Sequence, residues 1–217
     1  MKRILERKLD EIVKRNRILL LDEVSVELDV DAEMLRDSLT HHRRLQLSTS
    51  AGGMTVVTCR AKGRPSDPAI ARAVAMQSFC RREPTRPRLL SPGDIETCFP
   101  SLFRKGLPSG YYVRNAESKP VLGLLRIDTN AKPIARLVSK SDSIAQCHFK
   151  QQEFRQLHRS GQFELTWLIP TEAKKGSLEI AVANLSSLNF TLRAFAVPEL
   201  LELLAPLQRH HSPTLRV

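Results

Sequence analysis

The sequence predicts a chain of the α/β class, α+β overall, in which a helical N-terminal part closed by a β-hairpin precedes a part with a central mixed sheet. Two observations support this prediction. Through residues 2–40 the apolar residues recur at helical spacing, and two short alternating runs follow. From Pro92 onward, short apolar runs alternate with helical patterns, which is typical of a sheet covered by helices on both faces.

The first element is an amphipathic helix over residues 2–16, in which apolar and charged positions alternate at helical spacing. The next apolar positions predict a helix, a tight turn and a second helix. Asp31 stands at the start of that second helix, where its carboxylate can accept free backbone N–H groups of the first turn. Residues 45–49 and 55–59 then alternate like strands around Ser50–Gly53, which predicts a hairpin.

This order of elements resembles the helix-turn-helix of the winged-helix regulators, with the stretch SVELDVDAEMLRDSL in place of their turn and recognition helix. The resemblance implies that the second helix enters the major groove and that the hairpin touches the backbone. Arg36 and Thr40 are then the candidates for base edges. Asp31, Glu33 and Asp37 are acidic on the same helix, so a winged helix used for dimerisation or protein contact is the alternative.

Charge is the strongest global property of the chain. Its 34 Lys and Arg against 23 Asp and Glu give a net charge of +11 and a pI of about 10.0, which favours a polyanionic partner, nucleic acid first. Two Tyr and one Trp leave few platforms for stacking unpaired bases, so duplex DNA is the predicted partner. The residues predicted to bind it are Arg36, Thr40, His41, Arg43, Arg44, Lys62, Arg64, Arg81 and Arg82.

The composition predicts four segments. They are a winged-helix domain over residues 1–62, a basic connector rich in Pro and Arg over 63–91, an α/β domain over 92–208 and a flexible tail over 209–217. The connector contains a short helix, with Asp67 as its predicted cap and Pro68 at its first position. Its arginines have two open interpretations, a solvated linker or an arm that follows phosphates.

The second domain is predicted to begin with a helix capped by Ser91. In order, the predicted elements are a helix over 92–104, strands over 111–114, 121–128 and 134–138, a long helix over 141–159, a strand over 163–169, a helix capped by Thr171, a strand over 190–197 and a helix over 198–207.

Three stretches of this domain, GLPSGYYV, LGLLRIDTN and FELTWLIPTEAKKGSL, resemble the replication-relaxation family of plasmid and mobile-element proteins and the related mobilisation relaxases. In those proteins a winged helix precedes a restriction-endonuclease-like domain. The resemblance implies the same fold here, but two of the family's acids are replaced. Ser109 follows Pro108 where the family has an aspartate, and Arg126 stands where it has a glutamate, so that Asp128 remains.

These replacements predict a degenerate catalytic site with no catalytic residue and no cofactor. A Mg²⁺ site needs several well-placed carboxylates, and Arg126 projects to the same side of its strand as Asp128, which predicts a salt bridge instead. The spacing of the four cysteines matches no zinc motif. The leading hypothesis is a cytoplasmic DNA-binding accessory protein of a plasmid or other mobile element. It has no membrane contact, and its further partners are a second copy or other DNA-processing proteins.

Two alternatives remain open. The first is a metal-dependent DNA nickase or nuclease in which Asp128 binds Mg²⁺ or Mn²⁺ with further acids such as Glu96, Glu117 or Asp142. The second is a transcriptional regulator whose C-terminal domain dimerises or senses a ligand.

Overall fold

A computed structural model describes residues 2–16, 18–50, 52–100, 110–116, 119–129, 132–185, 188 and 190–209. Within these ranges the chain contains nine α-helices and two sheets, which confirms the mixed α/β class. No helix in them is both long and apolar enough to cross a bilayer.

The elements follow one another in this order along the chain. They are α1 (Lys2–Asn16), β1 (Ile18–Leu20), α2 (Leu21–Leu28), α3 (Ala32–Thr40), β2 (Leu45–Thr49), β3 (Thr55–Cys59), a 3-10 turn (Arg60–Lys62), α4 (Asp67–Arg82), β4 (Arg88–Leu89), α5 (Pro92–Cys98), β5 (Tyr111–Ala116), β6 (Lys119–Ile127), α6 (Ile134–Phe149), α7 (Gln152–Arg159), β7 (Phe163–Ile169), α8 (Glu172–Ala183), β8 (Thr191–Ala196) and α9 (Glu199–Arg209).

Contacts divide these elements into two units. The first contains the described residues up to Val74 together with α9, and the second is Ala75–Pro198. These divisions differ from the positions that composition suggested, near residues 62 and 91. The difference has a physical reason, because helical periodicity gives the buried face of a helix but not the core against which that face packs.

The first unit has a three-stranded antiparallel sheet in the order β1-β3-β2. The predicted helix over residues 2–16, the cap at Asp31 and both hairpin strands are confirmed. The Asp31 carboxylate accepts the N–H groups of Glu33 and Met34 at 2.8 and 3.2 Å. Strand β1 was not predicted, since three residues are too few for an alternating pattern.

The turn of the hairpin packs against the last helix. A Cβ placed on Gly52 would lie 2.9 Å from the carbonyl oxygen of Glu202 in α9. Leu200, Leu203 and Leu204 of the same helix are buried. Helix α9 therefore contributes to the core of the first unit, although 124 residues separate it along the chain from Val74.

Helix α4 begins at Asp67, one residue before the predicted first position at Pro68, and it is longer than the short connector helix that the sequence suggested. The Ile70 N–H donates to the Ser66 carbonyl at 3.0 Å, so Asp67 lies in the first turn and is not the cap. It runs for 16 residues, and Ile70, Val74 and Phe79 are buried. A segment interpreted from its Pro and Arg content as a connector thus contains a packed helix.

The second unit is built on a five-stranded sheet in the order β4-β5-β6-β7-β8. Strands β4, β5 and β6 are antiparallel neighbours, whereas β6, β7 and β8 are parallel, so the expected mixed sheet is confirmed. All seven residues of β7 are buried. Helices α6, α7 and α8 cover one face, where Leu137, Phe154 and Leu178 pack on Leu124 and Trp167.

The structure differs from the predictions for this unit at three elements. Residues 134–138 are not a strand but the start of α6, and the predicted helix over 141–159 is divided into α6 and α7. The spacing of Ile134, Leu137 and Val138 fits a helix as well as a strand, and short apolar runs cannot separate the two. Helix α5 ends at Cys98, short of the predicted residue 104, and residues 101–104 lie outside the described ranges.

Candidate nucleic-acid interface

Four cations lie at one end of the hairpin in the first unit. Arg43 and Arg44 precede β2, while Arg60 and Lys62 form the 3-10 turn after β3. The Arg60 N–H donates to the Arg44 carbonyl at 2.7 Å, which continues the ladder beyond the pair Leu45 and Cys59. We call these four residues the hairpin base; the Ser50–Gly53 turn is at the opposite end.

Only part of the hairpin base is available to a partner. The Arg60 guanidinium donates to the carbonyls of His42 and Leu45 at 3.4 and 3.2 Å and so fixes the turn after α3. Arg44 lies 3.8 Å from the Asp10 carboxylate of α1. Arg43 and Lys62 are exposed, and within the described ranges neither forms an ion pair.

A groove of about 680 Å³ lies between α1 and the turn after α3. Its lining residues are Glu6, Arg7, Asp10, Glu11, His41, His42, Arg43 and Arg44. Acids from α1 thus face cations of the turn, which lowers the positive potential on that side. The predicted residue His41 is exposed, and its Nδ1 lies 3.3 Å from the Asp37 carbonyl.

The exposed face of α3 is acidic on balance. Glu33, Arg36, Asp37 and Thr40 are all exposed, and Arg36 is the one basic residue in the sequence of this helix. The Thr40 hydroxyl donates to the Arg36 carbonyl at 2.9 Å, which leaves its oxygen as an acceptor. This face suits contact with base edges better than contact with phosphate.

The remaining predicted residues are distributed over both units. Arg64, in the first unit, donates from Nη2 to the Thr49 carbonyl at 2.8 Å beside β2. Arg81 and Arg82 are exposed at the end of α4 in the second unit, and Arg82 Nε donates to the Ser78 hydroxyl at 2.8 Å. Arg81 and Arg82 therefore belong to a different unit from the hairpin base.

The two units differ in charge. Residues 75–198 contain 18 Lys and Arg against 10 Asp and Glu, whereas the rest of the chain contains 16 against 13. Most of the net positive charge of the chain thus belongs to the second unit. Sequence reasoning missed this distribution because it placed the DNA contacts mainly in the helix-turn-helix; a count for each unit would have revealed it.

The Asp128 carboxylate has a cationic partner that was not predicted. Asp128 follows β6, is fully buried, and its Oδ2 lies 2.6 Å from Lys174 Nζ in α8. The expected salt bridge with Arg126 is thus corrected, since among the described residues the ion pair of Asp128 is with Lys174. Lys174 lies in the first turn of α8. The start of this helix is fixed by Thr171, whose hydroxyl accepts the Lys174 N–H at 3.2 Å.

Of the other acids of the nuclease alternative, the structure describes Glu96 and Asp142. Glu96 and Asp142 are exposed, and Glu117, like Pro108 and Ser109 of the family motif, lies outside the described residues. In the ranges that the structure describes, no three His, Cys, Asp or Glu side chains are grouped as metal ligands.

A second buried acid, Glu164 of β7, is the centre of a polar network. Arg114 donates to both carboxylate oxygens at 2.6 Å, and the Tyr112 hydroxyl donates to Oε1 at 2.5 Å. Arg193 joins Glu164 at 3.4 Å to Glu83 at 3.0 Å. Burial by itself raises the pKa of Glu164, but the hydrogen bonds from Arg114 and Tyr112 hold it below the ordinary value.

This network was missed because β7 has the sequence of a buried apolar strand, in which a single acid gives no signal of its partners. The two arginines neutralise the two acids, and each carboxylate oxygen of Glu164 has a donor. Such a satisfied arrangement stabilises the fold rather than forming a binding site.

Tyr111 forms a pair with His148 of α6. The phenol oxygen lies 2.6 Å from His148 Nε2, while Nδ1 lies 2.7 Å from the Ile144 carbonyl. Because a carbonyl only accepts, Nδ1 bears the proton and Tyr111 donates to Nε2. Burial raises the pKa of Tyr111 to about 12 and lowers that of His148, and Tyr111 packs within the core of the sheet.

Comparison with known proteins adds no relative, since no family model, curated protein or solved structure matches this chain.

Proposed function

We propose that this protein binds duplex DNA and that its first unit is a winged helix. The order α1-β1-α2-α3-β2-β3 with an antiparallel sheet in the order β1-β3-β2 supports this assignment. The observation that carries the proposal is the hairpin base, where the turn after α3 and the 3-10 turn bring four cations to one end of the hairpin.

Within this proposal the hairpin base contacts phosphate and α3 contacts bases. Arg43 and Lys62 are the main phosphate ligands, because Arg60 is held by carbonyls and Arg44 is partly neutralised by Asp10. Arg36 and Thr40 are the candidates for base edges. Glu33 and Asp37 limit the approach of α3 to the backbone, so most of the affinity is electrostatic and falls with salt.

In winged-helix proteins the hairpin, or wing, contacts the DNA backbone. Here we do not assign that contact to the turn of the hairpin. Because Gly52 packs against the Glu202 carbonyl, this turn is engaged within the first unit. We therefore assign the backbone contacts to the hairpin base at the other end of β2 and β3.

In this proposal the second unit serves DNA binding or protein assembly, and we assign no DNA cleavage to it. The Asp128 carboxylate is fully buried and ion-paired with Lys174, so a cation would have to displace an ammonium group. The narrower assignments, a degenerate nuclease-like domain and an accessory protein of a mobile element, rest on the resemblance of three sequence stretches.

The test is a fluorescence-anisotropy titration of a labelled duplex at several salt concentrations. The variant Arg43→Ala/Lys62→Ala should weaken binding to every sequence and lower the slope of log K against log salt by about 1.8, the value for two lost phosphate contacts. Lys8→Ala/Arg72→Ala is the matched control, since it removes one Lys and one Arg from exposed positions elsewhere in the first unit. Equal slopes for the two variants, or a wild-type protein that does not bind duplex, would refute the proposal.

A further inference from the structure

A second group of cations lies at the carboxyl end of β6 and along the start of α6. It consists of Arg126, Lys132, Arg136 and Lys140, which we call the α6 cation cluster. Neither the helix-turn-helix nor the buried acids account for it.

The packing of α6 on the sheet brings Arg126 and Lys140 together. Arg126 lies on the face of β6 that also carries Leu124, and this face is covered by α6. Its neighbour in the parallel ladder is Trp167, whose Nε1 donates to the Ser141 hydroxyl of α6 at 2.8 Å. Lys140 directly precedes Ser141, so it lies on the turn of α6 that packs over this part of the sheet, near Arg126.

The other two cations extend the cluster toward the start of α6. Arg136 is one turn before Lys140 on the same side of the helix, because residues four apart are neighbours on a helix surface. Lys132 lies just before Pro133, the N-cap residue, and the first turn of α6 contains no acid. The dipole of this helix adds to the positive potential at that end.

The charges in this cluster repel one another. Lys132 lowers the pKa of Lys140, and burial and the charges of Arg126 and Arg136 act in the same direction. In the part of the chain that the structure describes, Lys132, Arg136 and Lys140 form no ion pair. Two acids lie two residues from the cluster along the chain. Asp128 is fully buried and paired with Lys174, and Asp142 is an exposed residue of α6 that does not face Lys140, because residues two apart on a helix point to different sides.

Three like charges held together without an ion pair among the described residues, those of Lys132, Arg136 and Lys140, favour an anionic ligand. Binding of an anion would reduce their mutual repulsion. The cluster extends from Lys132, which precedes α6, to Lys140, which lies about 9 Å along the helix axis from its first residue, Ile134. A single phosphate would cover only part of that length, while a polymer with regularly spaced phosphates can contact all of it.

We propose that the α6 cation cluster is a second binding site for the phosphate backbone of DNA. The inference rests on the proposed function, which it extends from the first unit to the second. It explains why the second unit carries the larger excess of positive charge. Arg136 is exposed, while Arg126, Lys132 and Lys140 are half-buried, so the cluster presents charges on a fixed surface rather than on a flexible arm.

The test compares two double variants of the full chain in the same salt titration. Arg136→Ala/Lys140→Ala should lower the slope of log K against log salt by about 1.8, whereas Lys150→Ala/Arg155→Ala should leave it unchanged. Both variants remove one Lys and one Arg from the second unit, and Lys150 and Arg155 are exposed positions outside the cluster. The charge-preserving variant Arg136→Lys/Lys140→Arg should keep the wild-type slope.

The outcomes separate this inference from the proposed function. If the wild-type protein binds duplex and the two alanine variants give equal slopes, the α6 cation cluster does not contact DNA, while the proposed function stands. If the wild-type protein does not bind duplex even at low salt, both proposals fail.

A free phosphate ligand would give a third pattern in calorimetric titrations with inorganic phosphate. Loss of phosphate binding in Arg136→Ala/Lys140→Ala, with an unchanged slope for duplex, would identify a small-anion site and overturn the inference.

Discussion

The ring of Tyr112 lies directly over the backbone of Gly123, its partner in the ladder between β5 and β6. A Cβ on Gly123 would overlap three ring atoms of the phenol. The missing side chain lets Tyr112 reach across β6 and donate to Glu164 on β7 at 2.5 Å. One glycine in β6 thus permits a hydrogen bond between strands that are not neighbours.

We expect Gly123→Ala to lower the free energy of unfolding by about 3 kcal/mol, because the ring must move and the buried Glu164 loses a donor. Urea denaturation measures this loss. Gly176→Ala is the matched control, since a Cβ on Gly176 in α8 meets no atom within 4 Å. The control should be neutral or stabilising by up to about 1 kcal/mol. Equal stability of Gly123→Ala and the wild type would contradict the packing described for Tyr112.

The pair of Asp128 and Lys174 predicts strong coupling between two positions. Asp128→Asn should lower the free energy of unfolding by about 3 kcal/mol, because it leaves the Lys174 ammonium without its buried counter-ion. Asp128→Asn/Lys174→Met should be less destabilised than the sum of the two single variants. A double-mutant cycle by chemical denaturation gives the coupling energy, and additive effects would show that the pair contributes little.

His148 predicts a pH dependence of stability. The folded state holds this imidazole neutral, since burial lowers its pKa, whereas an unfolded histidine titrates near pH 6.5. The unfolded chain therefore binds more protons below that pH. The free energy of unfolding should be at its full value above about pH 6.5 and fall from there toward the lowered pKa of the folded state.

Urea denaturation at pH 7.5 and 5.5 measures this effect as a difference between variants. His148→Gln should reduce the loss of stability between the two pH values. His158→Gln is the control. His158 of α7 stacks on Phe149, the last residue of α6, and has no tyrosine partner. A loss of the same size in His148→Gln and the wild type would assign the pH dependence to other groups.

The acids of α1 predict unequal roles for two adjacent arginines. Arg43→Ala should weaken duplex binding more than Arg44→Ala, because Asp10 already offsets part of the Arg44 charge. Asp10→Asn should strengthen binding by removing an acid from the groove. Anisotropy at low salt compares the three variants, and an Arg44→Ala effect larger than that of Arg43→Ala would reverse the assignment.

Local chemistry predicted where several elements begin. Asp31, Ser91 and Thr171 each accept a backbone N–H at the start of a helix, as their positions in the sequence indicated. A cap involves residues two or three apart, so it can be recognised in a short stretch of sequence.

Contacts between distant elements could not be predicted in this way. The partner of Asp128 was expected two residues away, at Arg126, but it is Lys174, brought close by the position of α8 after β7. The buried network around Glu164 depends on Gly123 in another strand. In both cases the partner is set by the arrangement of strands in the sheet, which a pattern along one segment does not contain.

The packing of Gly52 on α9 also has a consequence for protein synthesis. Domains generally fold as units while the chain leaves the ribosome, starting from the N-terminus. The nascent first unit would emerge early, but its hairpin turn would have no helix to contact until the whole second unit had been translated. Completion of the first unit is therefore a late event in the biogenesis of this protein, and the intervening residues must be made before it can occur.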